Sequence, residues 1–314
     1  MKNYLPASRE LKPKIRMKEI SGIFVIDKPG GITSFEIVRR IKTWLNLKKV
    51  GHGGTLDPLA TGVLPIFINK ATKIAQFFLN MDKTYMATMR LGLETETMDI
   101  EGEITRVCKK IDVSIEELQM VMRGFQGKIT QIPPSYSSLK VGGVPLYKWA
   151  RKGIKIQPAP REVEIYELKL KSFRPPEVDF EVSCSKGTYI RTLCSDIGKK
   201  LGCGACLVSL RRLKTGPFTI EMAIPLEVLK EAVKAGKWQD YLLDLNKALA
   251  SFEAVVLNKK QEEQVKHGRF IRWPYKLTRP LIRALNKENQ LVALLQTQET
   301  QKGMQLRPVK VFDI

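Results

Sequence analysis

The sequence has few residues that could bind a metal or form disulfides, with only two histidines and five cysteines among 314 residues. The cysteines are odd in number and scattered through segments that look structured, so a secreted disulfide framework is not expected. Cys203 and Cys206 have metal-like spacing, but no second pair accompanies them. We interpret them as core cysteines and predict no metal site.

The sequence also lacks long apolar runs and nucleotide-binding motifs. No segment reaches the roughly 18 apolar residues of a membrane span, and the first 20 residues carry six Lys or Arg without a signal-peptide core. No glycine-rich loop ends in Gly-Lys-Ser/Thr or has the G-x-G-x-x-G pattern. We therefore expect a cytoplasmic protein without a nucleotide cofactor or a membrane span. Nothing in the sequence suggests more than a monomer or an obligatory protein partner.

Positive charge is abundant. The chain has 53 Lys and Arg against 32 Asp and Glu, a net charge of +21, and the excess is spread over both halves of the molecule. This surplus suits a polyanionic partner such as nucleic acid. Membrane-surface proteins and basic enzymes that act on phosphorylated substrates share the bias, so charge alone leaves these alternatives open.

Apolar periodicity predicts the elements near the start of the chain. Residues 23–26 read as a short buried strand. A helix should follow the next turn, because Thr33 and Glu36 have capping-box spacing and apolar residues then recur at helical spacing. From residue 83 to 91 apolar residues alternate with more polar ones, which is the period of a half-buried strand.

Later segments indicate the fold class. Residues 163–173 and 178–184 look like strands, and a helical stripe of apolar residues begins at Ile190. Strands and helices mix without a regular βαβ repeat, which favours an α+β fold over a doubly wound parallel sheet.

The character of the chain changes near residue 245, where a short helical piece and brief strand-like runs begin. We therefore predict three parts: a basic flexible arm at residues 1–20, a large domain at 21–244 and a small domain at 245–314.

The most informative stretch is the glycine-rich loop at residues 51–62. It contains His52 and one carboxylate, Asp57, which lies between Leu56 and the fixed ring of Pro58. A carboxylate on a stiff, partly apolar loop suits a nucleophile or a base. Ordinary turn chemistry of an Asp-Pro pair is the alternative.

This loop resembles the catalytic motif of the bacterial TruB family, the tRNA pseudouridine-55 synthases. Four further motifs resemble the same family in the same order: residues 26–31, 83–85, 131–147 and 187–191. The resemblance implies a mixed, mainly antiparallel sheet flanked by helices, with a small C-terminal PUA-like domain. It also implies isomerisation of uridine 55 in the tRNA T-loop, by base flipping and C-glycoside formation, without a cofactor.

The resemblance assigns the catalytic carboxylate to Asp57. Arg191 corresponds to the arginine that pairs with it, and Tyr85 would lie against the flipped base, where its hydroxyl could take part in proton transfer. Tyr189 and Leu210 would complete the uracil pocket. From the residues alone, Arg191 could equally be a surface arginine, and the other three could be core residues.

Two further residues are expected to bind RNA. His52 would fill the gap that the flipped uridine leaves in the RNA stack, unless it only caps its own turn. Lys28 would support the loop or touch an RNA phosphate, whereas a solvated lysine is the default. Gly53 departs from the family pattern, which has a larger residue there, and this change is expected to loosen the loop.

Two outer regions are also expected to contact tRNA. Residues 133–146 look like an RNA-contacting insertion that is mobile without RNA. The C-terminal part would bind the tRNA acceptor end through a group of basic residues: Arg269, Arg272, Lys276, Arg279 and Arg283.

Two other functions compete with the stand-alone enzyme. One is the catalytic subunit of a guide-RNA-dependent pseudouridylation particle, and the other is a tRNA-binding folding chaperone that needs no chemistry. Residues 58–62 and 137–140 look more like the stand-alone branch.

Overall fold

The computed structural model describes residues 20–154, 156–301 and 303–312. The predicted N-terminal arm therefore lies outside the described residues, apart from Ile20. None of the described helices is long and apolar enough to cross a membrane.

The described residues form eight α-helices, most of them short. They are α1 Ser34–Trp44, α2 Ala75–Leu79, α3 Ile115–Arg123, α4 Leu146–Ala150, α5 Ile190–Lys200, α6 Leu226–Lys234, α7 Leu245–Ala248 and α8 Lys259–Lys266. Single 3-10 turns occur at Asn69–Lys73, Ile220–Met222 and Trp238–Tyr241.

Strands dominate the rest of the described chain. In the first part they are β1 Gly22–Lys28, β2 Val50–His52, β3 Thr61–Ile68, β4 Lys83–Leu91, β5 Leu93–Thr95, β6 Ile104–Val107, β7 Gly127–Gln131, β8 Lys140–Val141, β9 Val144–Pro145, β10 Arg161–Arg174, β11 Glu177–Cys184, β12 Ala205–Thr215, β13 Phe218–Thr219 and β14 Ile224–Pro225. The C-terminal strands are β15 Ala254–Val256, β16 Ile271–Trp273, β17 Leu281–Leu285, β18 Leu291–Thr300 and β19 Gly303–Val311.

Ten strands form one mixed sheet with the central order β14-β1-β3-β12-β4-β11-β10-β7. Its pairs are antiparallel except for β1 with β14 and β3 with β12. The predicted α+β class with a mainly antiparallel sheet is confirmed. Since β3, β12 and β4 are neighbours, segments from opposite ends of the domain meet at its centre.

Local sequence explains the elements that carry the site. Thr33 caps α1 by accepting a hydrogen bond from the backbone N–H of Glu36, as predicted, although the Glu36 carboxylate pairs with Arg39 and Arg40 instead of closing the capping box. In β4 the buried and half-buried residues alternate as the sequence pattern predicted, so Tyr85 faces the core.

A second, five-stranded sheet has the order β15-β17-β18-β19-β16 and its own apolar core. Its β-rich architecture is consistent with the predicted PUA-like domain. Leu294 and Phe312 from this region share an apolar cluster with Ile23 and Val25 of β1, so the two sheets are packed together. The exact three-part division of the chain remains a prediction.

Candidate active site

The loop that carries Asp57 connects β2 to β3 and is fastened at several points. The backbone N–H of Gly53 donates to the carbonyl of Pro65 at 2.9 Å. The buried hydroxyl of Ser34, in the first turn of α1, donates to the Leu56 carbonyl at 3.0 Å and accepts from the Leu56 N–H at 2.8 Å. The residue before Asp57 is thus held at both of its backbone polar groups.

Gly53 does not loosen this loop. A Cβ atom at this position would lie 2.8 Å from Cε2 of Phe67, which is closer than side chains pack. The space that a larger residue would need is therefore occupied by the Phe67 ring, which is fully buried. The expectation of a looser loop was wrong, because a neighbouring side chain fills the gap.

Lys28 lies beneath the loop, with no exposed surface. Its ammonium group donates hydrogen bonds to three carbonyls, those of Pro29 at 2.9 Å, Pro58 at 3.2 Å and Ala60 at 2.7 Å. Burial lowers the pKa of Lys28 to about 8, with the Asp57 carboxylate acting in the opposite direction. Of the two predicted roles, this placement favours support of the loop, because a phosphate cannot reach a fully buried ammonium group.

Arg191, in the first turn of α5, meets the Asp57 carboxylate. Its Nε lies 3.1 Å from Oδ2 of Asp57 and its Nη1 lies 3.3 Å from Oδ2 of Asp99. The Nε contact has the distance of an ion pair, but the N–H is not aligned for a hydrogen bond. Nη1 also donates to the Thr97 carbonyl and Nη2 to the Tyr136 carbonyl, at 2.9 and 2.7 Å.

The start of α5 is positioned by a side chain from the edge strand β7. Tyr189, the residue before α5, has no side-chain cap. Instead Gln131, which is fully buried, accepts from the Tyr189 N–H at 3.0 Å and donates to the Tyr189 carbonyl at 3.3 Å. These two hydrogen bonds between β7 and the start of α5 hold both Tyr189 and Arg191 at the site.

A small pocket of about 100 Å³ opens beside Asp57. Five of the seven residues predicted from the sequence line it: Asp57, Tyr85, Tyr189, Arg191 and Leu210. They come from the loop, β4, the start of α5 and β12. The pocket combines one accessible carboxylate, one guanidinium group, apolar or aromatic walls and several Ser and Thr hydroxyls. This combination suits a flat polar ring held against the carboxylate.

Tyr85 contributes a neutral hydroxyl to this pocket. Burial raises its pKa to about 12, although the neighbouring guanidinium of Arg212 acts to lower it. The hydroxyl therefore stays protonated at neutral pH and can donate a hydrogen bond or pass on a proton.

Arg212 is a site residue that the sequence reasoning missed. Its side chain is 1% exposed, and it donates to the Val63 carbonyl at 2.7 Å and to the Gly54 carbonyl at 3.0 Å. Gly62 has φ +97°, and a Cβ atom there would lie 2.2 Å from the Arg212 carbonyl oxygen, so only glycine fits. The available signal was its place in β12, where Arg212 shares a face with the buried Leu210.

Asp99 was also missed. It is 7% exposed, and besides Arg191 it binds the hydroxyl of Thr97 at 2.6 Å. Met98, between these two residues, has a left-handed backbone with φ 62°, a conformation that non-glycine residues seldom adopt outside functional turns. No sequence pattern indicated that this turn would meet Arg191.

A larger cavity of about 560 Å³ shares Asp57 and Arg191 with the small pocket. His52 lines this cavity rather than the small pocket, together with Phe35, Tyr136 and Arg151. Burial lowers the pKa of His52, and its Nδ1 accepts a hydrogen bond from the Gly54 N–H at 3.3 Å. The imidazole is therefore neutral at pH 7, with its proton on Nε2.

Residues 133–146 lie over the site. The Tyr136 carbonyl accepts from Arg191, and Ser137 and Ser138 line both the small pocket and the larger cavity. Contact between this segment and RNA, and its mobility without RNA, remain predictions.

The predicted group of basic residues in the C-terminal domain is divided by the structure. Arg269 and Arg272 line a surface pocket of about 580 Å³ beside α8. Arg283, by contrast, is hydrogen-bonded within the protein, to the Phe252 carbonyl at 3.0 Å and to Oδ1 of Asn246 at 2.6 Å. Arg283 therefore joins α7 to β17 and is a poor candidate for RNA contact.

The chain matches a known protein family along most of its length. Residues 42–190 match the TruB family pseudouridylate synthase N-terminal domain, and residues 191–256 match the tRNA pseudouridylate synthase B C-terminal domain. The tRNA pseudouridine synthase B of Syntrophus aciditrophicus is 46% identical over 253 residues, which cover 79% of this chain and 80% of that protein. That of Francisella philomiragia is 50% identical over 215 residues, covering 68% and 70%. The chain belongs to the TruB family of pseudouridylate synthases, as its motifs predicted.

Solved structures share the same architecture. The chain resembles one in the crystal structure of a Cbf5-Nop10-Gar1 complex, with a TM-score of 0.74 and 30% identity over 93% of this chain and 85% of that one. A chain in an H/ACA RNP bound to a substrate RNA containing 2'-deoxyuridine has a TM-score of 0.72 and 28% identity over 93% and 85%.

Proposed function

We propose that this protein converts uridine 55 in the T-loop of tRNA to pseudouridine, with Asp57 as the essential carboxylate. The observation that carries the proposal is the small pocket, in which Asp57 is both accessible and paired with the buried Arg191. The relatives named tRNA pseudouridine synthase B support tRNA as the substrate.

In the proposed reaction the target nucleoside leaves the RNA stack and its uracil enters the small pocket. The bond between C1′ and N1 breaks, the uracil rotates, and C5 bonds to C1′. The hydrogen at C5 is then lost and N1 gains one, so that no atom is added overall. Asp57 acts by attack at C1′, by addition at C6 or by removal of a proton, and each of these steps needs an accessible, ionised carboxylate beside the glycosidic bond.

The other site residues have supporting roles in this proposal. Arg191 orients Asp57, Tyr85 stacks on the uracil and passes on a proton at C5, and Tyr189 and Leu210 complete the pocket. His52 fills the gap left in the RNA from the neighbouring cavity, where a neutral imidazole can stack on bases. Lys28 holds the loop from below.

We further propose that the protein acts as a monomer in the cytoplasm, where tRNA is modified, and that it needs no protein partner. The C-terminal domain would contact the acceptor stem through Arg269, Arg272, Lys276 and Arg279. A separate basic arm at residues 1–20 would add phosphate contacts.

The test is pseudouridine mapping on an unmodified tRNA transcript, by carbodiimide modification and reverse transcription. The wild-type protein should produce a stop one nucleotide to the 3′ side of position 55. Asp57→Asn should abolish the stop while leaving the affinity for tRNA nearly unchanged, because phosphate contacts dominate affinity. Asp82→Asn is the matched control, because Asp82 is an exposed carboxylate that accepts a hydrogen bond from the Tyr166 hydroxyl.

The outcomes separate the competing functions. Turnover that appears only after a guide RNA is added would favour the guide-dependent alternative. The structural similarity to a chain in the Cbf5-Nop10-Gar1 complex is the reason to test it. Tight binding without any stop would favour the folding chaperone. Loss of both binding and turnover in Asp57→Asn would count against Asp57 as the chemical group.

A further inference from the structure

Phe35 is an exposed aromatic residue in the cavity beside Asp57. Its side chain is 70% exposed, which equals Tyr275 as the highest value among the large apolar residues of the described chain. The ring lines the 560 Å³ cavity that also contains His52 and Asp57. Its position in this lining, rather than its exposure alone, suits contact with a ligand, since an accessible aromatic face can stack on a base.

The backbone beneath Phe35 is fixed relative to the catalytic loop. Ser34, the preceding residue, is 2% exposed and is bonded to both backbone polar groups of Leu56. Thr33 caps the same turn of α1 through the Glu36 N–H at 3.0 Å. The backbone of Phe35 is therefore fixed one residue away from a direct hydrogen-bonded link to the loop of Asp57.

The size of the two spaces indicates what the ring would meet. The small pocket, about 100 Å³, offers room for one flat ring beside Asp57. The cavity of about 560 Å³ adjoins it and has room for neighbouring nucleotides. Its lining includes the aromatic rings of Tyr136 and Tyr147, and it mixes arginines with carboxylates. Because the charges are of both signs, the aromatic rings are the feature that suits contact with unpaired RNA bases.

We propose that Phe35 is a positioning residue that stacks on an unpaired base adjacent to the target uridine. It holds the RNA strand at the entrance while the target enters the small pocket. This inference rests on the proposed function, because it names a further contact of the same RNA.

The test uses an RNA hairpin with the sequence of the T-arm, so that contacts with the acceptor end are absent. Phe35→Ala should raise the KM about ten-fold, which is within the range for losing one base-aromatic stack, and change kcat less than two-fold. Phe35→Trp should stay within about three-fold of the wild type, whereas Phe35→Leu should resemble Phe35→Ala. Tyr275→Ala is the matched control, because Tyr275 is equally exposed but lies in the C-terminal domain.

A second measurement identifies the base. Hairpins in which single nucleotides near the target lack their base are assayed with the wild type and with Phe35→Ala. At one position the missing base should raise the wild-type KM about ten-fold and have no further effect in Phe35→Ala, because both changes remove the same stack. The inference is wrong if no position shows this coupling. It is also wrong if Phe35→Leu has the KM of the wild type.

The two proposals fail in different ways. If the wild-type protein does not isomerise the hairpin or full tRNA, the proposed function fails. If the wild type is active, Asp57→Asn is inactive and Phe35→Ala matches the wild type, only the role of Phe35 fails.

Discussion

Arg191 Nε lies 3.1 Å from Asp57 Oδ2, but the two side chains differ in exposure, with 5% for Arg191 and 43% for Asp57. A buried cation therefore faces an accessible carboxylate. Asp99 and the carbonyls of Thr97 and Tyr136 hold the guanidinium from the protein side. The arrangement leaves one side of Asp57 free for a substrate.

The first prediction concerns Arg191→Lys. A lysine keeps the charge but cannot reach Asp57, Asp99 and two carbonyls together, because its donors lie on a single atom. We expect kcat/KM to fall at least about 100-fold while the dissociation constant for tRNA changes less than about three-fold. Tritium release from C5-labelled tRNA measures the first quantity and filter binding the second.

Arg174→Lys is the control for this change, because Arg174 forms an exposed ion pair with Asp179 and neither residue lines the small pocket. A decrease of less than about ten-fold in Arg191→Lys would show that charge alone, without the planar group, is sufficient.

The second prediction uses the buried ammonium group of Lys28. Its pKa is lowered to about 8, against 10.5 in the unfolded chain, because burial disfavours the charged form. Between these values the unfolded chain binds more protons at this residue, so the unfolding free energy should rise with pH across the window. In Lys28→Met this contribution is absent.

Urea unfolding at several pH values from 7.5 to 10.5 measures the effect. The wild type should gain stability relative to Lys28→Met as the pH rises. Lys83, whose pKa is also lowered to about 8, is present in both proteins and cancels in the difference. If the difference in unfolding free energy between wild type and Lys28→Met is constant or falls with pH, the ammonium group of Lys28 is not buried beneath the loop with a lowered pKa.

The third prediction concerns the Tyr85 hydroxyl. With a pKa of about 12 it is protonated throughout the range from pH 6 to 9. If it passes on a proton, Tyr85→Phe should lower kcat by about 100-fold without changing the shape of the pH profile in that range. Single-turnover kinetics measures the effect. Tyr166→Phe, which removes an exposed hydroxyl bonded to Asp82, should have no effect. Equal activity of Tyr85→Phe and wild type would limit Tyr85 to packing.

The fourth prediction compares two glycines of the same loop. Gly53→Ala places a Cβ atom 2.8 Å from Cε2 of Phe67, whereas Gly51→Ala places one where nothing lies within 4 Å. Gly53→Ala should lower the unfolding free energy by about 1–3 kcal/mol, as overpacking does, and Gly51→Ala should change it little. Chemical denaturation measures both.

A rescue variant tests the cause of that effect. Phe67→Leu combined with Gly53→Ala should cost less stability than the sum of the two single losses, since it removes the ring that a Cβ atom would touch. If the double variant is as unstable as the sum of the single variants, contact with Phe67 is not the reason.

Local sequence patterns predicted much of the framework. The alternation in β4 and the capping of α1 by Thr33 depend on residues a few positions apart, so periodicity and side-chain chemistry were sufficient to place them. The TruB motifs, in their order along the chain, identified the family and supplied seven candidate site residues, five of which line one pocket. Composition indicated the polyanionic partner.

Tertiary structure decided how these residues meet. The contact between Arg191 and Asp99 joins residues 92 positions apart, and that between Arg212 and Gly54 joins residues 158 positions apart. Such pairs depend on the order of strands in the sheet, which local periodicity does not contain. For the same reason the sequence indicated that Lys28 and Gly53 matter, but it did not predict which segments surround them. Whether a lysine is solvated or buried, and whether a glycine loosens a loop or fits against a ring, depends on distant segments that share the space.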